Sequence, residues 1–212
     1  MRRMLHRCNT AIRRTPDGNI VYAPGIALEL ELQLDEWYNY LPRLVRFDIA
    51  PRINGLENAD SPPPSSCPLS NFLRVQYHCC KISIYWPAVY QAIHDREIGE
   101  QLKDHCRRFF DSYVQLVPCI LAAFRECVVN RWTLFASTFM TTMAALRGSS
   151  ISCIGELVDA TRLNQCFAAT KTVDRRMINI SPSLLLLADT LEDRLAAALN
   201  TFPQSSASLH EM

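Results

Sequence analysis

Histidine and cysteine carry the most versatile chemistry available to this chain, and they gather once, in the stretch FLRVQYHCCKISIYWP, where His78 precedes Cys79 and Cys80. An imidazole and two thiols bind zinc when they converge on one point, and a thiolate beside an imidazole serves as a nucleophile. Convergence is the difficulty. Neighbouring helical residues point about 100° apart, so Cys79 and Cys80 cannot meet at one tetrahedral ion. On a helical wheel Phe72, Val75, Cys79, Ile82 and Trp86 form one stripe and Leu73, Tyr77, Cys80 and Ile84 the next, leaving Arg74, His78 and Lys81 on the remaining face. The wide apolar arc describes a central helix with sulfur in its packing, and His78, set between two cations, is expected on a solvated face.

The other candidates are weaker. His105 beside Cys106 suggests a dyad, but adjacent helical positions diverge and no third group orients them, so a surface histidine is expected. The run DTLEDR sets Asp189 and Asp193 four apart on one helical face, with Glu192 between, a pattern that can hold magnesium when a facing helix supplies further carboxylates. Asp35 and Glu36 beside Trp37 complete such a site only through a chance of packing, and Arg194 with its leucine neighbours favours a solvated edge. Trp37, Tyr77, Trp86 and Trp132 suit an apolar ligand pocket, but at helical spacing they are assigned to packing. With six glycines and no Gly-rich loop before a Lys and Ser or Thr, the chain offers no phosphate cradle, and GSSIS at Gly148 lacks the setting of a nucleophile elbow. No catalytic, cofactor, metal or DNA-binding residue is assigned.

The elements that must position these residues follow from composition. The 212 residues are 49% hydrophobic, enough for a substantial core, and 22 basic against 21 acidic residues leave no overall field to capture nucleic acid. Nine cysteines, at positions 8, 67, 79, 80, 106, 119, 127, 153 and 166, are odd in number and never two residues apart, which argues against a disulfide framework and zinc ribbons and for a reducing compartment. The longest uncharged runs in the apolar middle, Ser112 to Phe124 and Trp132 to Leu146, are shorter than the roughly 20 residues that span a bilayer.

Residues 1–24, with Arg2, Arg3, Arg7, Arg13 and Arg14, are expected to form a basic, disordered tail. A helix follows from Ile26 to near Pro42, because Leu, Glu and Gln outweigh β-branched residues and the stripe of Ile26, Leu30, Leu34, Trp37 and Leu41 is longer than a strand. Residues 47–68 are a proline-rich loop. Beyond the central helix, which Pro87 kinks or restarts, a long helix from Glu97 to Val129 passes Pro118, and an almost wholly apolar helix, expected to be buried on most sides, ends at Gly148 as a C-cap. A helix over Gly155 to Thr172 and one starting at Ser181 and Pro182 complete a helical domain over 25–199, with 200–212 a disordered tail. The fold class is all-α: a multi-helix bundle in a single domain with buried central helices.

The order of LQLDEWYNYLPRLVRF, a proline-rich loop, LRVQYHCCKISIYWPAVYQAI and CILAAFRECVVNRWTLFASTFMTTMAAL resembles the later part of the regulatory, or middle homology, region of fungal zinc-cluster transcription factors. The matching positions are Trp37, Leu41, Pro42, Leu73, Tyr77, Trp86, Pro87 and Trp132. The family's six-cysteine DNA-binding module is not present in this chain. The resemblance implies a non-enzymatic regulatory, effector-sensing or protein-interaction domain acting in transcription, in the nucleus and in secondary metabolism. It further implies partners in the transcription machinery or a full-length regulator, a small-molecule effector, no cofactor, no membrane and no direct DNA contact. The alternative is a magnesium-dependent, terpenoid-type helical enzyme working through Asp189, Glu192 and Asp193.

Overall fold

A computed structural model of the chain describes residues 12–14, 20–49, 68–95, 98–126, 130–173 and 181–201. Among these residues the chain forms seven α-helices, one 3-10 turn and one small hairpin. Strands β1 (Ile12–Arg14) and β2 (Ile20–Tyr22) pair antiparallel with Ile12 opposite Tyr22. Helix α1 (Pro24–Asn39) has its proline in the first turn, where a missing N–H costs nothing, and is followed by a 3-10 turn at Arg43–Val45. Helices α2 (Pro68–His94) and α3 (Glu100–Glu126), 27 residues each, form the centre, each roughly 40 Å long. Next come α4 (Arg131–Ser149), the single turn α5 (Ser152–Gly155), α6 (Ala160–Lys171) and α7 (Pro182–Thr201). The molecule is an all-α bundle, as the periodicity implied.

Contacts between named side chains fix the register. Asn71 at the start of α2 donates to Glu126 at the end of α3 at 2.5 Å, while Trp86 meets Phe109 at 5.9 Å between ring centroids near the opposite ends, so the two central helices run antiparallel. Helix α4 returns along α3: Phe124 meets Phe135 at 6.4 Å, and Tyr113 Oη donates to Thr142 Oγ1 at 3.1 Å. Helix α6 lies on α3 through Phe167 and Tyr113, and α7 closes against α4 and α6. Tyr77, Tyr85, Phe109, Tyr113 and Phe167 fill the interior, each stabilising the fold by about 2 kcal/mol on burial.

Both internal prolines lie within unbroken helices. Pro118 cannot donate to the carbonyl of Val114, one turn earlier, and the Cys166 thiol on α6 takes that place as a weak donor at 4.0 Å. Gly148 is a close-approach residue inside α4 and not its cap: a Cβ there would stand 2.8 Å from Val89 Cγ1 and 3.0 Å from Phe110 Cζ. The helix ends one residue later, with Ser150 as its C-cap.

Three further expectations are corrected. Residues 12–14 and 20–22, expected to be part of an irregular tail, pair as a hairpin, and Tyr22 is buried because its hydroxyl finds a partner in the core. The helix expected from Gly155 to Thr172 is two pieces, since Asp159 caps a new helix by accepting from the Arg162 N–H at 3.1 Å. Helix α4 is not buried on most sides: Trp132 and Met140 stand in solvent, so Trp132, expected as packing, is 56% exposed. The tail at 202–212, most of the proline-rich loop (50–67) and the first eleven residues, with Arg2, Arg3 and Arg7, lie outside the described residues.

Candidate functional site

Polar side chains concentrate where α1 crosses α2. Glu31 and Asp35, one turn apart on α1, face Tyr77, Lys81 and Tyr85, successive one-turn steps along α2, and the spacing of four on both helices is what brings the two rows together. Tyr85 Oη donates to Glu31 Oε2 at 2.5 Å and Tyr77 Oη donates to Asp35 Oδ1 at 2.7 Å. Lys81 Nζ lies 3.2 Å from Glu31 Oε1, and Arg108 reaches in from α3 to Glu31 Oε2 at 2.8 Å while its Nε holds Asp104 at 2.9 Å. Burial alone would raise the Glu31 pKa, but the Tyr85 hydroxyl, Lys81 and Arg108 outweigh it and hold the carboxyl below its ordinary range. Burial, then the hydrogen bonds to the carboxylates, pushes both tyrosines well above the usual phenol value, so they remain donors.

A second cluster adjoins the first. The Tyr22 hydroxyl and His105 Nδ1 are 2.6 Å apart, the edge of His105 faces Tyr85 at 5.2 Å, and the Tyr22 amide donates to Gln91 Oε1 at 3.1 Å. His105 is therefore an interior residue and not a surface one: burial, with Arg108 beside it, lowers its pKa and keeps it neutral, able to accept from Tyr22. Its neighbour Cys106 is buried, with its thiol raised by burial to about 12, and no hydrogen bond joins it to His105 among those found in the described residues.

His78 is the largest correction. Expected on a solvated face, it is fully buried, and neither ring nitrogen has a hydrogen-bond partner among the described residues. Burial first, then Lys81 and Arg74, lowers its pKa to about 3. Arg74, one turn earlier, is also buried, its guanidinium 5.9 Å over the Phe47 ring, because α1, α3, α4 and the segment after α1 all pack on α2. Cys79 and Cys80 are interior, as packing requires, and burial lifts the Cys79 thiol to about 12.

The acidic run of α7 is separate from all of this. Asp189, Glu192 and Asp193 are exposed on its outer side, and among the described residues no group of three or more His, Cys, Asp or Glu is placed to hold a metal ion. Asp35 is engaged by Tyr77, Glu36 faces solvent, and Trp37 is half-buried. Of the four aromatics, Tyr77 is fully buried and Trp86 packs on Phe109. A cleft open to solvent lies between α4, α6 and α7, walled by Phe135, Thr170, Val173, Leu191 and Leu195, and none of the four lines it. Among the described residues no helix is long and apolar enough to cross a membrane.

The chemistry available here is cohesion. The paired carboxylates are neutralised by cations and tyrosines, and the thiols of Cys79, Cys106, Cys119 and Cys166 are enclosed, with burial raising each. Comparison with known proteins adds one relation. The chain is 50% identical over 198 residues to a protein of Aspergillus rugulosus named "Putative transcription factor ecdB", an alignment covering 93% of this chain and 36% of that protein. The chain thus spans about a third of the length of that relative. No family model matches the chain, and no solved structure matches it.

Proposed function

We propose that this chain is an all-helical regulatory domain of the kind found in fungal transcription factors, corresponding to the later part of the middle homology region of zinc-cluster regulators. It acts in the nucleus, by contact with protein partners and without a DNA-reading element of its own. The single observation that carries the proposal is the 50% identity along 93% of the chain to a protein named as a transcription factor. The alignment takes in 36% of that relative, which suits a segment with a role of its own inside a longer regulator. The bundle supports the same reading: ion pairs and tyrosine hydrogen bonds lock α1 to the centre, giving a preformed surface for partners at little cost in ordering.

The test is location and company. A fluorescently tagged chain expressed in a filamentous fungus should collect in nuclei, and cross-linking followed by mass spectrometry should recover components of the transcription machinery or a full-length regulator. A chain confined to the cytosol, cross-linked only to metabolic enzymes, would contradict the proposal.

A further inference from the structure

Helix α2 carries an interior charge that no carboxylate balances among the described residues. Arg74 is 2% exposed, makes no ion pair there, and its Nε has no hydrogen-bond partner. A guanidinium keeps its proton inside a protein, so the positive charge stays. What meets it is the face of the Phe47 ring, 5.9 Å from the guanidinium carbon, and the Cys119 thiol, which burial raises to about 11. Neither is an anion, and a ring face offsets only part of the hydration that a buried cation loses. The carboxylates around α2 are committed elsewhere: Asp35 accepts from Tyr77, Glu126 from Asn71, and Glu31 is shared by Tyr85, Lys81 and Arg108.

His78, one turn on, adds two more unsatisfied atoms: it is fully buried and both its ring nitrogens lack a partner. Helical residues four apart share a face with their Cβ atoms about 6 Å from each other, so the guanidinium and the imidazole stand as neighbours. With its pKa lowered to about 3 by burial and then by Lys81 and Arg74, the imidazole is uncharged at neutral pH and offers one N–H whichever tautomer it adopts. The pair thus presents one positive charge and at least two donors, the Arg74 Nε–H and an imidazole N–H, without an acceptor. Water would satisfy the hydrogen bonds and leave the charge, whereas a monoanion satisfies both. A carboxylate fits best, because its single charge matches the single fixed cation and its plane takes paired hydrogen bonds from a guanidinium edge, while a phosphate dianion would leave an excess of negative charge.

We infer that Arg74 and His78 form an interior binding site for a small monocarboxylate, which accepts from the Arg74 Nε–H and from an N–H of His78. Enclosure of both side chains confines such a ligand to a few atoms. The inference goes beyond the regulatory role proposed above and does not depend on it.

The experiment uses the full chain at pH 7 with sodium acetate, and with sodium chloride at equal ionic strength and acetamide, the uncharged isostere, as controls. Acetate should raise the urea midpoint saturably and give a calorimetric isotherm with one acetate per chain, and chloride and acetamide should do neither. Arg74→Met, which keeps an unbranched side chain without its charge, should abolish acetate binding, with a urea midpoint in chloride no lower than that of the native chain because the uncompensated charge is gone. His78→Leu, its fold checked by circular dichroism, should weaken acetate binding by about tenfold. In the native chain the His78 ring resonances, assigned by their absence from His78→Leu, should shift as acetate is added. Equal midpoints in acetate and chloride overturn the inference, as does an acetamide effect as large as that of acetate, which would mark a site satisfied by a neutral group or by water. Acetate binding that survives Arg74→Met, or tighter binding of inorganic phosphate than of acetate, overturns it too. Unmoved His78 resonances do so even where Arg74→Met fails to fold.

Discussion

Tyr85 and Glu31 join α2 to α1 through a 2.5 Å hydrogen bond at a point where Lys81 and Arg108 also converge on the same carboxylate. One acidic side chain thus ties three helices together. Replacing it leaves two cations facing each other with restricted hydration. Glu31→Ala should cost about 1–3 kcal/mol in urea unfolding, short of the figure for a fully buried pair because the Arg108 side chain is 43% exposed. Glu31→Gln, which still accepts from Tyr85, should lose less. Since the carboxyl is held below its ordinary range in the fold, its contribution is complete above the unfolded value near ~4.3 and fades as pH falls through the folded one.

His78 sets a second acid sensitivity of different origin. Its folded pKa of about 3 lies below the unfolded value, so between roughly pH 6.5 and pH 3 the unfolded chain binds a proton that the folded chain refuses. Stability from this group is therefore level above pH 6.5 and falls by about 1.4 kcal/mol per pH unit below it. Unfolding free energies at pH 7.5 and pH 5 should differ by about 2 kcal/mol more in the native chain than in His78→Leu. An equal difference in both would show that the imidazole reaches solvent.

The thiols report enclosure directly. With burial raising Cys79, Cys106 and Cys166 to about 12 and Cys119 to about 11, native protein treated with iodoacetamide at pH 8 should leave these four unlabelled until denaturant is added. Cys153, half-buried, should react first among the described cysteines. Peptide mapping distinguishes the two groups.

Gly148 marks a close approach of α4 to the central helices. A methyl group there meets Val89 and Phe110 at 2.8 Å and 3.0 Å, and Gly148→Ala should destabilise by about 1–3 kcal/mol despite alanine's better helix propensity. A rise in the unfolding midpoint would mean that α4 can slide outward freely.

The helical architecture was legible because long stripes such as Ile26, Leu30 and Leu34, or Phe110, Val117 and Phe124, repeat over many turns. Tyr22 and the hairpin were not, since three-residue strands are too short to display alternation. His78 and Arg74 lie inside because polarity on a wheel indicates solvent only when that side of the helix is free, and here it packs against neighbouring elements. The Glu31 cluster left a trace in the sequence, Tyr77, Lys81 and Tyr85 at steps of four opposite Glu31 and Asp35 at the same step, but pairing two such rows requires knowing which helices touch. Residue type alone places Trp132 in packing, and only the structure shows that its side chain faces solvent.

Transcriptional output tests the central claim most directly. The chain, fused to a foreign DNA-binding module in a filamentous fungus, should change expression from a reporter bearing that module's sites. Glu31→Ala and Gly148→Ala should reduce the effect in step with their loss of folded protein. Reporter expression identical to that given by the DNA-binding module alone, from a chain shown to be folded and nuclear, would contradict the account.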